Sequence, residues 1–113
     1  MLIIEDEALI ALDLQEMLSG AGATTFSFAE TEGDAIEAAR LLRPDVIMSD
    51  VMLREGTGPQ AVAVIQDEMG PLPVIFVTAT PASCSSCDPP AIVLGKPAID
   101  AKVREAFRAV APC

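Results

Sequence analysis

Four stretches of this chain are apolar with almost no polar alternation: LII (residues 2–4), VIMSD (46–50), VIFVT (74–78) and AIVL (91–94). A strand with one wetted face alternates apolar and polar residues. Runs like these fit strands covered on both faces, as in a parallel sheet. A fifth stretch, TTFSF (24–28), is β-rich in composition and alternates loosely. Parallel strands need long crossovers, and helical periodicity fills the gaps between the runs. From Glu7 to Ser19, Ile10, Leu14, Met17 and Leu18 share one helical face, which Gly20 and Gly22 terminate. Thr31 with Asp34 has the form of a capping box opening a second helix, with Ala35, Ala38, Ala39 and Leu42 as its inner stripe and Pro44 as its end. A third helix runs from Pro59 to Met69, with proline in its first turn. Asp100 caps a last helix whose Val103, Phe107 and Val110 face inward. The expected architecture is α/β, a doubly wound five-stranded parallel sheet between two layers of helix. In the fourth crossover, TATPASCSSCDPP (78–90), three prolines and no apolar stripe predict a short or irregular helix.

At 113 residues the chain has room for one domain with a sizeable core, expected over 1–113, and a hydrophobic share of 51% excludes disorder. No apolar run approaches the roughly 20 residues of a membrane helix. The start, MLIIEDEALI, has no basic region ahead of its apolar residues, unlike a secretory signal, so a cytoplasmic address is the default expectation. With 17 acidic against 7 basic residues the net charge is −10, which argues against direct nucleic-acid binding and for cations or basic partner surfaces. The chain has no histidine, so imidazole bases, histidine metal ligands and phosphohistidine chemistry are excluded. Cys84 and Cys87 have C-x-x-C spacing, but Cys113 is the only other cysteine and nothing completes a tetrahedral site, so they read as reduced loop cysteines.

Against this apolar background one residue stands out. Asp50 closes VIMSD, where desolvating a charge is costly unless water, a cation or chemistry compensates. In open α/β sheets ligands bind outside the carboxyl ends of the strands. Glu5 and Asp6 follow the first strand, Asp50 ends the third, Thr78 ends the fourth and Lys96 lies just past the fifth. The topology therefore gathers all five at one rim. Three carboxylates placed together repel unless a cation intervenes, and a hard divalent ion, most simply Mg2+, suits an all-oxygen set. Flanked by a metal and Lys96, Asp50 becomes a nucleophile able to take a phosphoryl group, with the Thr78 hydroxyl donating to a phosphoryl oxygen. The bland alternative is a strand-end aspartate that only caps the following loop.

LIIEDE, PDVIMSDVML, VIFVTA and GKP, in that order and across essentially the whole chain, resemble the successive motifs of response-regulator receiver domains. The resemblance implies a flavodoxin-like fold with strand order 2-1-3-4-5. It implies Glu5 and Asp6 as the acidic pair, with Asp6 the direct metal ligand. Asp50 becomes the phosphorylated residue and the Met52 carbonyl the backbone metal ligand. Thr78 and Lys96 become the family's hydroxyl and lysine. The implied partners are a histidine kinase or histidine phosphotransfer protein upstream and a protein target downstream, with no nucleic acid or membrane contact. It also implies no enzyme activity beyond the domain's own phosphorylation and dephosphorylation. Leu9, Leu12 and Glu16, turned outward if Ile10, Leu14 and Met17 face in, become part of a kinase-docking patch.

Several positions depart from the family's pattern. Glu5 replaces the commoner Asp, Arg54 stands where proline is usual, and Ala98 stands where Phe is usual. Val93 occupies the position of the switch aromatic in a chain without Tyr or Trp. A second expectation therefore stands beside the first: a phosphorylation-independent pseudo-receiver serving as a protein-interaction module. An aspartyl phosphohydrolase fits less well, because Met52 occupies the place of its second acid. Met48, Met52 and Met69 read as packing residues. No output domain follows Cys113, so signalling by protein contact or as a phosphate sink is expected; a first strand starting almost at Met1 leaves open a longer parent protein.

Overall fold

The computed structural model describes residues 1–53, 55–78, 92–96 and 99–110. In chain order the elements are β1 (Leu2–Ile4), α1 (Ala8–Ala21), β2 (Ser27–Ala29), α2 (Glu32–Leu41), β3 (Ile47–Asp50), α3 (Gly58–Met69), β4 (Val74–Thr78), β5 (Ile92–Gly95) and α4 (Asp100–Val110). All five strands are parallel, as the apolar runs predict, and their order is β2-β1-β3-β4-β5, as the family resemblance implies. The chain reverses direction across the sheet between β1 and β3, which places the switch point beside the carboxyl end of β1.

Strand residues divide between two cores by simple alternation. Leu2, Ile4, Ile47, Val74 and Phe76 pack with Ala35, Ala39, Ala61, Val62 and Ile65 of α2 and α3. Ile3, Val46, Met48, Ile75 and Val77 pack on the other face with Ala11, Leu14 and Leu18 of α1 and Val103 and Ala106 of α4. Every residue of β4 is buried, which explains why VIFVT shows no polar alternation. The small residues Ala35, Ala39 and Ala61 let α2 and α3 approach the sheet closely, and the Arg40 guanidinium joins the two helices by forked bonds of 2.8 and 2.6 Å to Glu68.

Several local expectations are corrected. Helix α1 runs through Gly20 to Ala21, and only Gly22 ends it. With φ of 117°, Gly22 closes a Schellman turn in which its N–H reaches Ser19 and that of Ala23 reaches Leu18. Gly20 serves a different need: a Cβ there would meet the Arg104 guanidinium of α4, which donates to the Gly20 carbonyl at 3.3 Å. Strand β2 begins at Ser27, because pairing starts at Leu2 opposite Ser27 and the Ser27 N–H bonds the Met1 carbonyl at 2.8 Å. Thr24, Thr25 and Phe26 fall outside the strand, so register overrides local β-propensity there.

Leu42 is not part of the α2 stripe. It is the extended C-cap residue and 60% exposed, since the chain leaves helical geometry ahead of Pro44. Thr31 does cap α2, accepting the Asp34 N–H at 3.1 Å. Asp100 lies within the first turn of α4, where its carboxylate pairs with Arg104 at 2.9 Å. In α4, Val103 and Ala106 are buried while Phe107 and Val110 are partly covered. The Met52 side chain is 68% exposed and is not a packing residue, whereas Met48 is fully buried. The fourth crossover with Cys84 and Cys87, together with Arg54, Ala98 and Cys113, lies outside the described residues.

Candidate functional site

The carboxyl ends of β1, β3, β4 and β5 form one rim. Glu5 follows β1 and is 4% exposed, a degree of burial rare for a carboxylate. Its Oε2 accepts the Glu7 N–H at 3.3 Å, and its own N–H bonds the Ala29 carbonyl at 2.9 Å, so the backbone fixes it from both sides. Asp6 is next in the chain, and Asp50 is the last residue of β3. Carboxylate oxygens of Glu5, Asp6 and Asp50 lie within 4.8 Å of one another. Lys96 reaches in from just past β5, with Nζ 2.9 Å from Asp50 Oδ2 and 3.7 Å from Glu5 Oε1. Thr78 ends β4 and is 7% exposed, and its carbonyl accepts the Lys96 N–H at 2.9 Å. The ends of β1 and β3 thus bring the three acids together with Lys96 from beyond β5, and Thr78, at the end of β4, joins the rim through its backbone bond to Lys96.

The electrostatics follow from this crowding. Burial, then the Asp50 charge and the hydrogen bond with Asp6, push the Glu5 carboxyl up to about 7; Lys96 only partly opposes them. Burial pulls the Lys96 ammonium down, but its hydrogen bond to Asp50 and the charges of Asp50 and Glu5 outweigh that and leave it above its ordinary value. One ammonium does not neutralise three carboxylates. The donor set consists of hard oxygen ligands with surplus negative charge, and it fits a divalent ion of the Mg2+ type.

The segment after Asp50 is held by residues that sequence reading missed. Ser49 is fully buried and donates to the Asp50 carbonyl at 2.8 Å. Gly58 opens α3 directly beneath, its N–H bonding the Val51 carbonyl at 2.9 Å. A Cβ at Gly58 would fall on the Asp50 carbonyl oxygen and the Ser49 hydroxyl. The available signal was a glycine just ahead of the first-turn proline of α3. Met52 pairs with Thr57 across this segment in an antiparallel bridge.

Residues 1–85 match the family model described as the response regulator receiver domain. The chain belongs to that family. Among curated proteins, this receiver is similar to the phyllosphere-induced regulator PhyR of Methylorubrum extorquens, with 37% identity over 100 residues, covering 85% of this chain and 37% of that protein. Among solved structures, it superposes on the receiver domain of PhyR from Erythrobacter litoralis with a TM-score of 0.86 and 30% identity, covering 96% of this chain and 86% of that one. It also matches a structure described as the anti-anti-sigma factor PhyR from Bartonella quintana, with a TM-score of 0.81 and 30% identity, covering 94% of this chain and 44% of that one. The receiver therefore spans less than half the length of the Methylorubrum and Bartonella proteins. Receiver domains are signalling modules of two-component systems. Among the described residues, no helix is long and apolar enough to cross a membrane.

Proposed function

We propose that this receiver takes a phosphoryl group onto Asp50 from a histidine kinase or histidine phosphotransfer protein, with Mg2+ at Glu5, Asp6, Asp50 and the Met52 carbonyl. The observation that carries the proposal is the Lys96 ammonium 2.9 Å from Asp50 Oδ2 beside two further carboxylates. An Asp50 oxygen forms the new bond to phosphorus as the phosphorus–nitrogen bond to the donor histidine breaks. The bonding pair stays on the leaving imidazole, which takes a proton from solvent. Lys96 holds a phosphoryl oxygen by its charge, and the Thr78 hydroxyl donates to another. When bound, Mg2+ would neutralise charge on the transferring group. Acetyl phosphate with Mg2+ is expected to add the mass of one phosphoryl group to the intact protein; no mass gain at saturating donor would overturn the reading.

We place the docking surface for the donor on α1. On α1, Leu9 and Leu12 are 79% and 56% exposed, beside the exposed Asp13 and Glu16. An apolar pair ringed by acids suits a basic, partly apolar helical surface. Leu12→Asp is expected to slow phosphotransfer from the cognate kinase by about tenfold while leaving acetyl phosphate labelling intact. Equal kinase rates would remove α1 from the interface. Output runs through protein contact, and the likeness to a protein described as an anti-anti-sigma factor makes an anti-sigma factor the first downstream candidate to test.

Glu5 gives the site a pH signature. Its carboxyl titrates near 7 in the folded, metal-free protein against 4.5 ordinarily, so between these values the folded state binds more protons than the unfolded. Without metal, stability is expected to fall as pH rises through that window, by on the order of 1–3 kcal/mol. Mg2+ must displace the proton, so its affinity is expected to be roughly tenfold weaker at about pH 6 than at about pH 8. Melting in chelator and calorimetric Mg2+ titration at both pH values check the two halves; a pH-independent affinity contradicts them.

A second reading keeps the fold and drops the phosphorylation. Val93 favours it, being packed against the core formed with α2 and α3 where receivers carry a switch aromatic. The acetyl phosphate measurement separates the two readings.

A further inference from the structure

The segment that follows Asp50 is a small ribbon. Leu53 N–H to the Gly56 carbonyl (3.4 Å) and Gly58 N–H to the Val51 carbonyl (2.9 Å) flank the Met52–Thr57 pair. This is the non-hydrogen-bonded arrangement, in which the two opposed residues turn their own backbone groups outward, to opposite edges. Neither flanking bond uses the Met52 carbonyl. On the other edge, the Thr57 N–H is taken by Glu32 Oε1 at 3.2 Å.

Glu32 makes more than this one contact. It is the first residue of α2, fixed by the Thr31 cap, and its backbone N–H donates to the Glu55 carbonyl at 3.1 Å. Gly56, with φ of 83°, lies so close that a Cβ there would come within 2.6 Å of the Glu32 side chain. Three residues of the ribbon, Glu55, Gly56 and Thr57, thus rest on one glutamate from a different helix. They do so on the edge opposite the Met52 carbonyl.

Building on the metal site proposed above, we infer that Glu32 is a positioning residue for it: by clasping the outer edge of the ribbon, Glu32 sets where the Met52 carbonyl stands relative to Asp50. The contacts of Glu32 with this segment are to Glu55, Gly56 and Thr57, so it acts through the ribbon. The hydrogen bond needs an acceptor oxygen and not a charge, which separates positioning from long-range electrostatics.

The test is calorimetric Mg2+ binding to the wild-type protein, Glu32→Ala and Glu32→Gln, with amide hydrogen exchange at Thr57 followed in parallel. Glu32→Ala is expected to bind Mg2+ more weakly, on the order of tenfold, with faster exchange at Thr57. Glu32→Gln keeps an acceptor and is expected to restore affinity to within about twofold and exchange to the wild-type rate. Wild-type affinity in Glu32→Ala overturns the inference while leaving the metal site standing. Gln as weak as Ala also overturns it, since charge rather than the clasp would then be responsible. Absence of Mg2+ binding by the wild-type protein overturns the site reading and this inference with it.

Discussion

Asp50→Asn is expected to take up no phosphoryl group from acetyl phosphate or from a kinase, its labelling falling to background. The amide supplies no anionic oxygen, so the nucleophile is lost while the shape of the side chain is kept. Loss of fold is not expected to be the cause. Asp50 adds to the repulsion that raises Glu5, and removing its charge relieves the acidic cluster. In the variant Glu5 is expected to titrate lower, with burial as its main remaining perturbation, and the metal-free protein is expected to melt no lower than wild type. Intact-mass analysis and thermal melting in chelator check both statements. Undiminished labelling would place the phosphoryl group elsewhere; a collapsed melting transition would make Asp50 a structural residue.

Gly58→Ala is expected to be the most damaging single methyl group in the site region. The added carbon would fall on both the backbone oxygen of Asp50 and the fully buried Ser49 hydroxyl, which are hydrogen-bonded to each other. Strand β3 is held between β1 and β4 and cannot retreat without breaking ladder bonds, so either α3 must lift or the Val51–Gly58 bond must break. Forced overpacking of this kind costs about 1–3 kcal/mol, and sometimes more. For a domain of this size that corresponds to a fall in Tm on the order of 10 °C. Phosphoryl uptake is expected to fall as well, because the peptide that follows Asp50 is displaced. A melting temperature equal to wild type would contradict the close contact.

What could be read from sequence divides along physical lines. Strands β1, β3 and β4 were legible because burial on both faces leaves LII, VIMS and VIFVT almost wholly apolar, without the alternation of a strand with one wetted face. The rim acids followed from one topological rule, since strand ends must meet once the strands are parallel. Strand β2 was misplaced because Thr24, Thr25 and Phe26 have the propensity but Ser27–Ala29 have the partners in β1. Leu42 misled because helical spacing continues past the point where the chain turns toward Pro44.

Ser49, Gly58 and Glu32 were not legible for a shared reason. Each matters through a contact made after folding: a hydroxyl under a carbonyl, a missing Cβ, and a carboxylate across from a distant N–H. None leaves a periodicity or a spacing in the chain. Thr78 and Lys96, by contrast, could be placed at the rim from the sequence because one ends a strand and the other follows one, and the backbone bond between them brings β4 and β5 to the same rim.

Whether Glu5, Asp6 and Asp50 jointly hold a divalent ion beside a reactive carboxylate is decided by one titration, of Mg2+ and then beryllofluoride, followed through the backbone amides. Mg2+ is expected to shift Asp6, Asp50, Val51 and Met52 saturably, and beryllofluoride then to shift Thr78 and Lys96 in the wild-type protein but not in Asp50→Asn. Amides that do not respond to Mg2+, or responses centred on Thr25 and Asp45 at the other end of the sheet, would contradict the site.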